Sequence, residues 1–341
     1  MSLKLGFVGV GGIAQRHLEG AKARKDVTIV GHCDIIAERA QAAAAKYGGE
    51  AYTACAELFD AQKPDAIVIA TPPYAHGEIE EQACQRGIHF FVEKPVAVSM
   101  ALAERVLRAV EGSGVLTQVG YMYRRSAPIQ QVQALLTGRP LAMVQAHFYM
   151  PGLPGAPWYQ EMALGGGQLV EQATHILDLG RFLAGDVRTV IGRTARVRDW
   201  TPPPDAQLQP GMRTYAEGFD IPDTTALVLE YESGALGTLS CSIIPQGQWD
   251  VGFKVVAEGL LVTIDGPSAR WTGDESGEAT AADDWPLAVL YEFLDCVTAG
   301  RQPSIPYVEG VKSLAVSLAG YESVARGGPV ALEELLPEGV E

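Results

Sequence analysis

The chain has 341 residues, 47% of them hydrophobic, and a formal net charge of −15. That charge argues against a nucleic-acid partner or an anionic membrane surface, and no apolar run is long enough to span a bilayer. The length allows two domains. The five cysteines, Cys33, Cys55, Cys84, Cys241 and Cys296, lack metal-type spacing, and no export signal is read ahead of the first strand, so they are expected to be reduced thiols of a cytoplasmic protein.

An apolar run from Leu5 to Val10 reads as a buried strand. It ends in Gly9-x-Gly11-x-x-Ala14, and a helical pattern follows. This is the first turn of a dinucleotide-binding βαβ unit. Gly9 permits the tight turn, Gly11 lets a pyrophosphate approach the backbone, and Ala14 lets the helix pack close on the strand. The helix N-terminus then offers free N–H groups and a positive dipole end to the phosphates. A second strand, Val27 to Cys33, ends at Asp34, near the spacing of an acid that hydrogen-bonds the adenosine ribose.

The pattern continues with helix Ile36 to Tyr47, a short strand Glu50 to Tyr52, helix Ala56 to Gln62 and strand Ala66 to Ala70. Helix Tyr74 to Arg86, strand His89 to Val92, helix Ala101 to Gly112 and strand Leu116 to Tyr121 complete it. Such alternation predicts a parallel sheet with helices on both faces and ligands beyond the carboxyl ends of its strands. Two of those ends carry distinctive residues, Ala70-Thr71-Pro72-Pro73 and Val92-Glu93-Lys94-Pro95.

After Tyr121 a short helix near Pro128 leads to strand Leu141 to Tyr149 and a Pro/Gly-rich aromatic loop, Met150 to Leu164, holding Trp158 and Tyr159. Gly165-Gly166-Gly167 introduces a helix read as Leu169 to Leu183. From Val187 to about Trp271 the chain is strand-rich with few helices, which predicts a largely antiparallel sheet. A polar insertion, Asp199 to Asp220, interrupts it. Thr272 to Asp284 reads as an exposed acidic loop, and helices Leu287 to Ala299 and Val308 to Ala325 close the chain. The division expected is 1–121 and 122–341.

Two constellations can carry chemistry. Lys94, at the carboxyl end of a parallel strand, faces the crevice of a bound nicotinamide, and Pro95 restricts it to extended geometry or a cis bond. Such a lysine can donate to a substrate oxygen and stabilise a developing alkoxide; it also fits a surface lysine before a helix-starting proline. On a regular helix Glu171, His175 and Asp178 share one face. A carboxylate one turn away can orient an imidazole, which can accept a hydroxyl proton; the same stripe also fits a solvated or core polar face. No metal-ligand cluster stands out.

Taken together, Gly9-Val10-Gly11-Gly12-Ile13-Ala14, Thr71-Pro72-Pro73 with His76, Glu93-Lys94-Pro95, Gly120-Tyr121-Met122-Tyr123-Arg124, the Gly165 to Asp178 segment and Tyr321-Glu322-Ser323 resemble the Gfo/Idh/MocA oxidoreductases over nearly the whole chain. The resemblance implies a Rossmann domain followed by an α+β domain whose large open, mostly antiparallel sheet forms homodimers or homotetramers. It places Gly9, Gly11, Gly12, Ile13, Asp34, Thr71, Pro72, His76, Glu93 and Lys94 at the cofactor, and matches Lys94 and His175 to the active-site lysine and histidine. Glu171 stands where the family usually has Asp, Ala173 where it has Gly, and Gln172 is also off-pattern. Trp158 and Tyr159 fall at the substrate wall or anchor their loop, and Arg124 binds a substrate carboxylate or pairs with an acid.

The expected function is hydride transfer between nicotinamide and a secondary alcohol or ketone of a sugar, polyol, inositol or related cyclic substrate. Lys94, His175 and Glu171 are the expected catalytic residues, with either Lys94 or His175 as the base. Asp34 favours NAD over NADP, because a carboxylate repels a 2′-phosphate. Two other readings are an NAD-retaining glycosidase and a dinucleotide-binding regulator; keeping both Lys94 and His175 argues against the regulator.

Overall fold

A computed structural model describes residues 2–154, 156–199, 219–245, 247, 249–282 and 284–340. Most of the insertion read at Asp199 to Asp220 lies outside them. The chain divides into two compact units. The first comprises Met1–Ala97, Ala101–Met122 and Pro286–Val311, and the second Val98–Met100, Tyr123–Trp285 and Lys312–Glu341.

The first unit begins with β1 (Leu3–Val8), α1 (Gly12–Ala23), β2 (Val27–Cys33), α2 (Ala37–Tyr47), β3 (Glu50–Tyr52) and α3 (Cys55–Gln62). It continues through β4 (Ala66–Ile69), α4 (Glu78–Gln85), β5 (His89–Val92), α5 (Met100–Ser113) and β6 (Thr117–Val119). The strands form one parallel sheet in the order β3-β2-β1-β4-β5-β6. The order reverses between β1 and β4, and ligands of such sheets sit beyond the strand ends at that switch point. Helices cover both faces, so the strands read as continuous apolar runs rather than alternating ones. Leu5, Phe7, Ile67, Val68, Phe90 and Phe91 are fully buried, and burying each such side chain contributes about 1.5–3 kcal/mol.

In the second unit, α6 (Ala127–Leu136) and β7 (Leu141–Tyr149) lead to α7 (Met162–Gly165), α8 (Gly167–Glu171) and α9 (Thr174–Ala184). Then follow β8 (Val187–Ala195), β9 (Thr224–Tyr231), β10 (Leu236–Ser242), β11 (Asp250–Ala257), β12 (Leu260–Asp265), β13 (Ser268–Gly273) and β14 (Gly277–Thr280). After α10 (Ala288–Ala299) and α11 (Tyr307–Arg326), the short β15 (Val330–Ala331) adds the last strand. The sheet order is β14-β13-β12-β11-β7-β10-β9-β8-β15. Its pairings are antiparallel except β7 with β10. In β7 the side chains alternate: Val144, Ala146 and Phe148 are buried, while Met143 and Gln145 face outward. One face therefore carries the core, where Ile176, Leu179 and Leu183 of α9 and Val316 of α11 join Leu227, Leu239 and Phe253 of the sheet.

Four differences from the sequence reading have local causes. The helix expected at Tyr74 to Arg86 is a 3-10 turn, Pro73–Ala75, and then α4, because the chain passes through Gly77 at φ +111°. The helix expected at Leu169 to Leu183 is broken: the Gln168 carbonyl accepts from both Gln172 N–H and Ala173 N–H, at 3.0 and 2.8 Å, so the i→i−4 ladder skips a step. The loop expected at Thr272 to Asp284 contains β14, which pairs Gly277 with Trp271 and Thr280 with Ser268. Residues Pro286–Val311 pack with the first unit, where Phe293 lies 6.1 Å from the Phe91 ring and Gln118 donates to Glu292 at 2.8 Å.

Candidate active site

Gly9 ends the turn after β1 at φ +81°. A Cβ there would sit 2.6 Å from the Ala70 carbonyl oxygen, so both its angle and its surroundings require glycine. Gly11 and Gly12 have open space where a Cβ would lie. The start of α1 carries no capping side chain and no acid in its first turn, and Ile13 beside it is exposed. Bare N–H groups, an uncompensated dipole end and room above the glycines fit a pyrophosphate.

Asp34 closes β2. Its carboxylate accepts from Val10 N–H at 3.2 Å and from Ile36 N–H at 3.0 Å, which ties it to the glycine turn. Two bonds leave acceptor capacity on a carboxylate for ribose hydroxyls. Beyond β4, the Thr71 hydroxyl is buried with no hydrogen-bond partner among the described residues. Pro72 leads into the 3-10 turn. His76 braces this loop from within: Nδ1 bonds Glu80 at 2.8 Å, Nε2 bonds the Thr71 carbonyl at 3.2 Å, and Glu80 also accepts from Gly77 N–H at 2.6 Å. With both ring nitrogens engaged, His76 shapes the loop after β4. The glycine cradle and the orphaned Thr71 hydroxyl suit a dinucleotide.

Lys94 follows β5, is partly buried and makes a cis peptide bond with Pro95. The Glu93 carboxylate accepts from Lys94 N–H at 3.3 Å and bonds His17 Nε2 at 2.6 Å. Sequence reasoning passed over His17. The available signal was its place on the inward stripe of α1 with Ala14, Leu18 and Ala21.

In the second unit, Gly166 and Gly167 take φ of +74° and +70° in succession, a path open to glycine, and turn the chain from α7 into α8. Tyr321 on α11 accepts from Leu169 N–H at 3.2 Å, and Ser317 donates to the Leu169 carbonyl at 3.0 Å, so the last long helix pins α8. Ser323 on the same helix accepts from Gly192 N–H of β8 at 2.9 Å. Glu171 ends α8 and is buried, while His175 lies on the first turn of α9 beyond the widened turn and is partly buried.

The third member of the expected stripe has a different task. Asp178 receives Arg124 Nε at 2.8 Å and Nη2 at 2.7 Å, and the Ser313 hydroxyl at 2.8 Å, all buried. This clamp holds the 3-10 turn Met122–Arg125 against α9. Tyr123 on that turn meets the His175 ring edge-on at 6.2 Å and the Trp285 ring at 5.1 Å. Tyr123 and Trp285 are aromatic neighbours that the sequence reading did not assign. Trp158 stacks on Tyr159 with centroids 3.6 Å apart. Burial first, and the Glu171 charge second, push the Tyr159 hydroxyl well above its ordinary pKa, so it stays protonated as a donor. Among the described residues no three His, Cys, Asp or Glu side chains come together to hold a metal ion. No helix there is long and apolar enough to cross a membrane.

Residues 3–121 match the model described as the oxidoreductase family, NAD-binding Rossmann fold, and residues 130–259 match the Gfo/Idh/MocA C-terminal domain. Fold and matches together define an NAD-binding oxidoreductase. The chain belongs to the Gfo/Idh/MocA family. It is 28% identical to a D-apiose dehydrogenase of Paraburkholderia graminis over 97% of this chain and 90% of that one. It is 25% identical to the NAD(+)-dependent scyllo-inositol 2-dehydrogenase of Bacillus subtilis, covering 79% and 78%. A solved oxidoreductase from Agrobacterium radiobacter, in complex with NAD+, L-tartaric acid and magnesium, superposes with a TM-score of 0.83 at 23% identity, covering 98% of this chain and all of that one.

Proposed function

We propose that this protein oxidises a secondary alcohol of a sugar, inositol or related cyclic polyol, or reduces the corresponding ketone, with NAD. The observation that carries this reading is the presence, in one chain, of an open glycine cradle followed by Asp34, of Lys94 just after β5, and of a buried Glu171 ending α8 with His175 on the first turn of α9. Bound NAD supplies the hydride acceptor at nicotinamide C4. Gly9, Gly11, Gly12, Ile13, Asp34, Thr71, Pro72 and Glu93 hold or shape its site, and His76 braces the loop. Lys94 donates a hydrogen bond to the substrate oxygen and stabilises charge that develops on it. His175 takes the hydroxyl proton on oxidation and returns it on reduction. Glu171 orients His175 or binds a neighbouring hydroxyl, and the Trp158–Tyr159 stack offers an aromatic face to a sugar ring. Arg124, committed to Asp178, acts by holding α9 in place.

The relatives named for apiose and scyllo-inositol support a polyol substrate. Asp34 supports NAD, since a 2′-phosphate would meet its carboxylate and the next two residues, Ile35 and Ile36, offer no cation. We also assign homodimers or homotetramers to the outer face of the nine-stranded sheet. There Leu261, Val256, Met143 and Leu236 stand side by side on four neighbouring strands, all exposed. Val228 and Ile191 extend the stripe. A contiguous apolar stripe on a sheet face is unusual for a monomer.

The test is a pair of variants. Lys94→Ala and His175→Ala should each lower kcat on a confirmed substrate by about 100-fold or more while NAD still binds in calorimetry. Full turnover in either variant would remove the role given to that residue.

A further inference from the structure

His17 and Glu93 form a largely buried pair whose histidine the proposed mechanism does not use. His17 lies on the second turn of α1, the helix whose N-terminus faces the glycine cradle; Glu93 directly precedes Lys94. Their side chains are 3% and 12% exposed. One carboxylate oxygen of Glu93 takes the His17 bond and the other accepts from Lys94 N–H. The carboxylate lies against Gly120, where a Cβ would come within 2.8 Å of Oε2. Gly120 N–H in turn donates to the Val92 carbonyl at 2.9 Å, so this space is fixed by the sheet itself. The Phe91 ring sits 5.0 Å from His17, edge-on, and His17 Nδ1 is buried with no partner among the described residues. The single polar bond of that imidazole therefore goes to Glu93.

We propose that His17 is a positioning residue: through Glu93 it fixes the backbone that presents Lys94, and it couples the seating of the pyrophosphate on α1 to the placement of that lysine. The proposal rests on the reading of Lys94 as the group that binds the substrate oxygen. Its physical content is simple. A carboxylate in a dry site holds its partner firmly and is costly to leave unpaired. One of its oxygens holds α1 through His17, and the other holds the next peptide of its own turn, the Lys94 N–H. Cutting the bond frees the turn, and small misplacements of a catalytic group lower rate steeply.

The experiment is a double-mutant cycle of His17→Leu with Lys94→Ala, joined to calorimetry with NAD alone. His17→Leu should lower kcat about tenfold or more, with a smaller change in substrate KM, and should weaken NAD binding. His17→Gln, whose amide can reach Glu93 from a similar position, should recover most of both losses. In the Lys94→Ala background His17→Leu should cost little further rate, because its effect passes through the missing side chain. An equal loss of rate in both backgrounds, or NAD affinity unchanged in a folded His17→Leu protein, would overturn the proposal alone. Full turnover in Lys94→Ala would overturn the reading of Lys94 and the proposal with it. If His17→Leu does not fold, Glu93→Gln replaces it in the same cycle.

Discussion

His32 and His89 show how single side chains bias the first unit towards neutral pH. Burial lowers the pKa of both, opposed in His32 by the Gly48 carbonyl and in His89 by the charge of Asp65. His32 donates Nε2–H to that carbonyl at 2.7 Å and has Nδ1 buried without a partner among the described residues. His89 Nδ1 accepts from Leu116 N–H at 3.0 Å, so a proton there would set donor against donor. With folded-state pKa values below the unfolded value of about 6.5, both rings contribute stability that is fully present above that pH and is lost as pH falls towards the folded values. The urea midpoint should therefore drop between pH 7.5 and pH 5, and the drop should shrink in His89→Gln, whose amide oxygen can still accept. A midpoint independent of pH across that window would contradict this. At the same scale, the positions of the first-turn glycines, of Asp34 after β2 and of Lys94 after β5 were legible, because a turn and a strand end show in local pattern. Arg124 was read with two alternatives because a buried partner 54 positions away leaves no mark on local pattern, and His17 was missed because a polar residue on an apolar stripe looks like core until its partner is seen.

At the level of elements, periodicity located the strands and most helices, since burial on both faces of the first sheet and alternation in the second follow from side-chain patterning. It failed where backbone hydrogen bonding departs from a regular ladder. Glu171, Gln172 and Ala173 have ordinary helical character, so nothing in their side chains announced the widened turn at the Gln168 carbonyl. The break places Glu171 and His175 on separate helical segments, so their relation is set by that turn rather than by a four-residue repeat. The two-residue β15 is too short to leave a period. The meaning of the outward stripe of the second sheet can be measured. Wild-type protein should sediment as a dimer or tetramer at micromolar concentration, and Met143→Asp, which puts a charge at the middle of the stripe, should shift it towards monomer. A monomeric wild type would remove the interface.

At the scale of the whole molecule, the two-part organisation follows from a change of texture near residue 121, where alternating strands and helices give way to a strand-rich stretch. The return of Pro286–Val311 to the first unit does not show in that texture, because α10 is an ordinary apolar helix whose destination is set by Phe91 and Gln118, far away in sequence. The central claim is NAD-dependent oxidation of a cyclic secondary alcohol. Its most direct measurement is absorbance at the reduced-nicotinamide band, with purified protein, a panel of sugars, inositols and ring diols, and NAD or NADP supplied separately. The account predicts growth of that band with at least one polyol, faster with NAD than with NADP because of Asp34. No growth with any compound, from protein that binds NAD tightly, would contradict it.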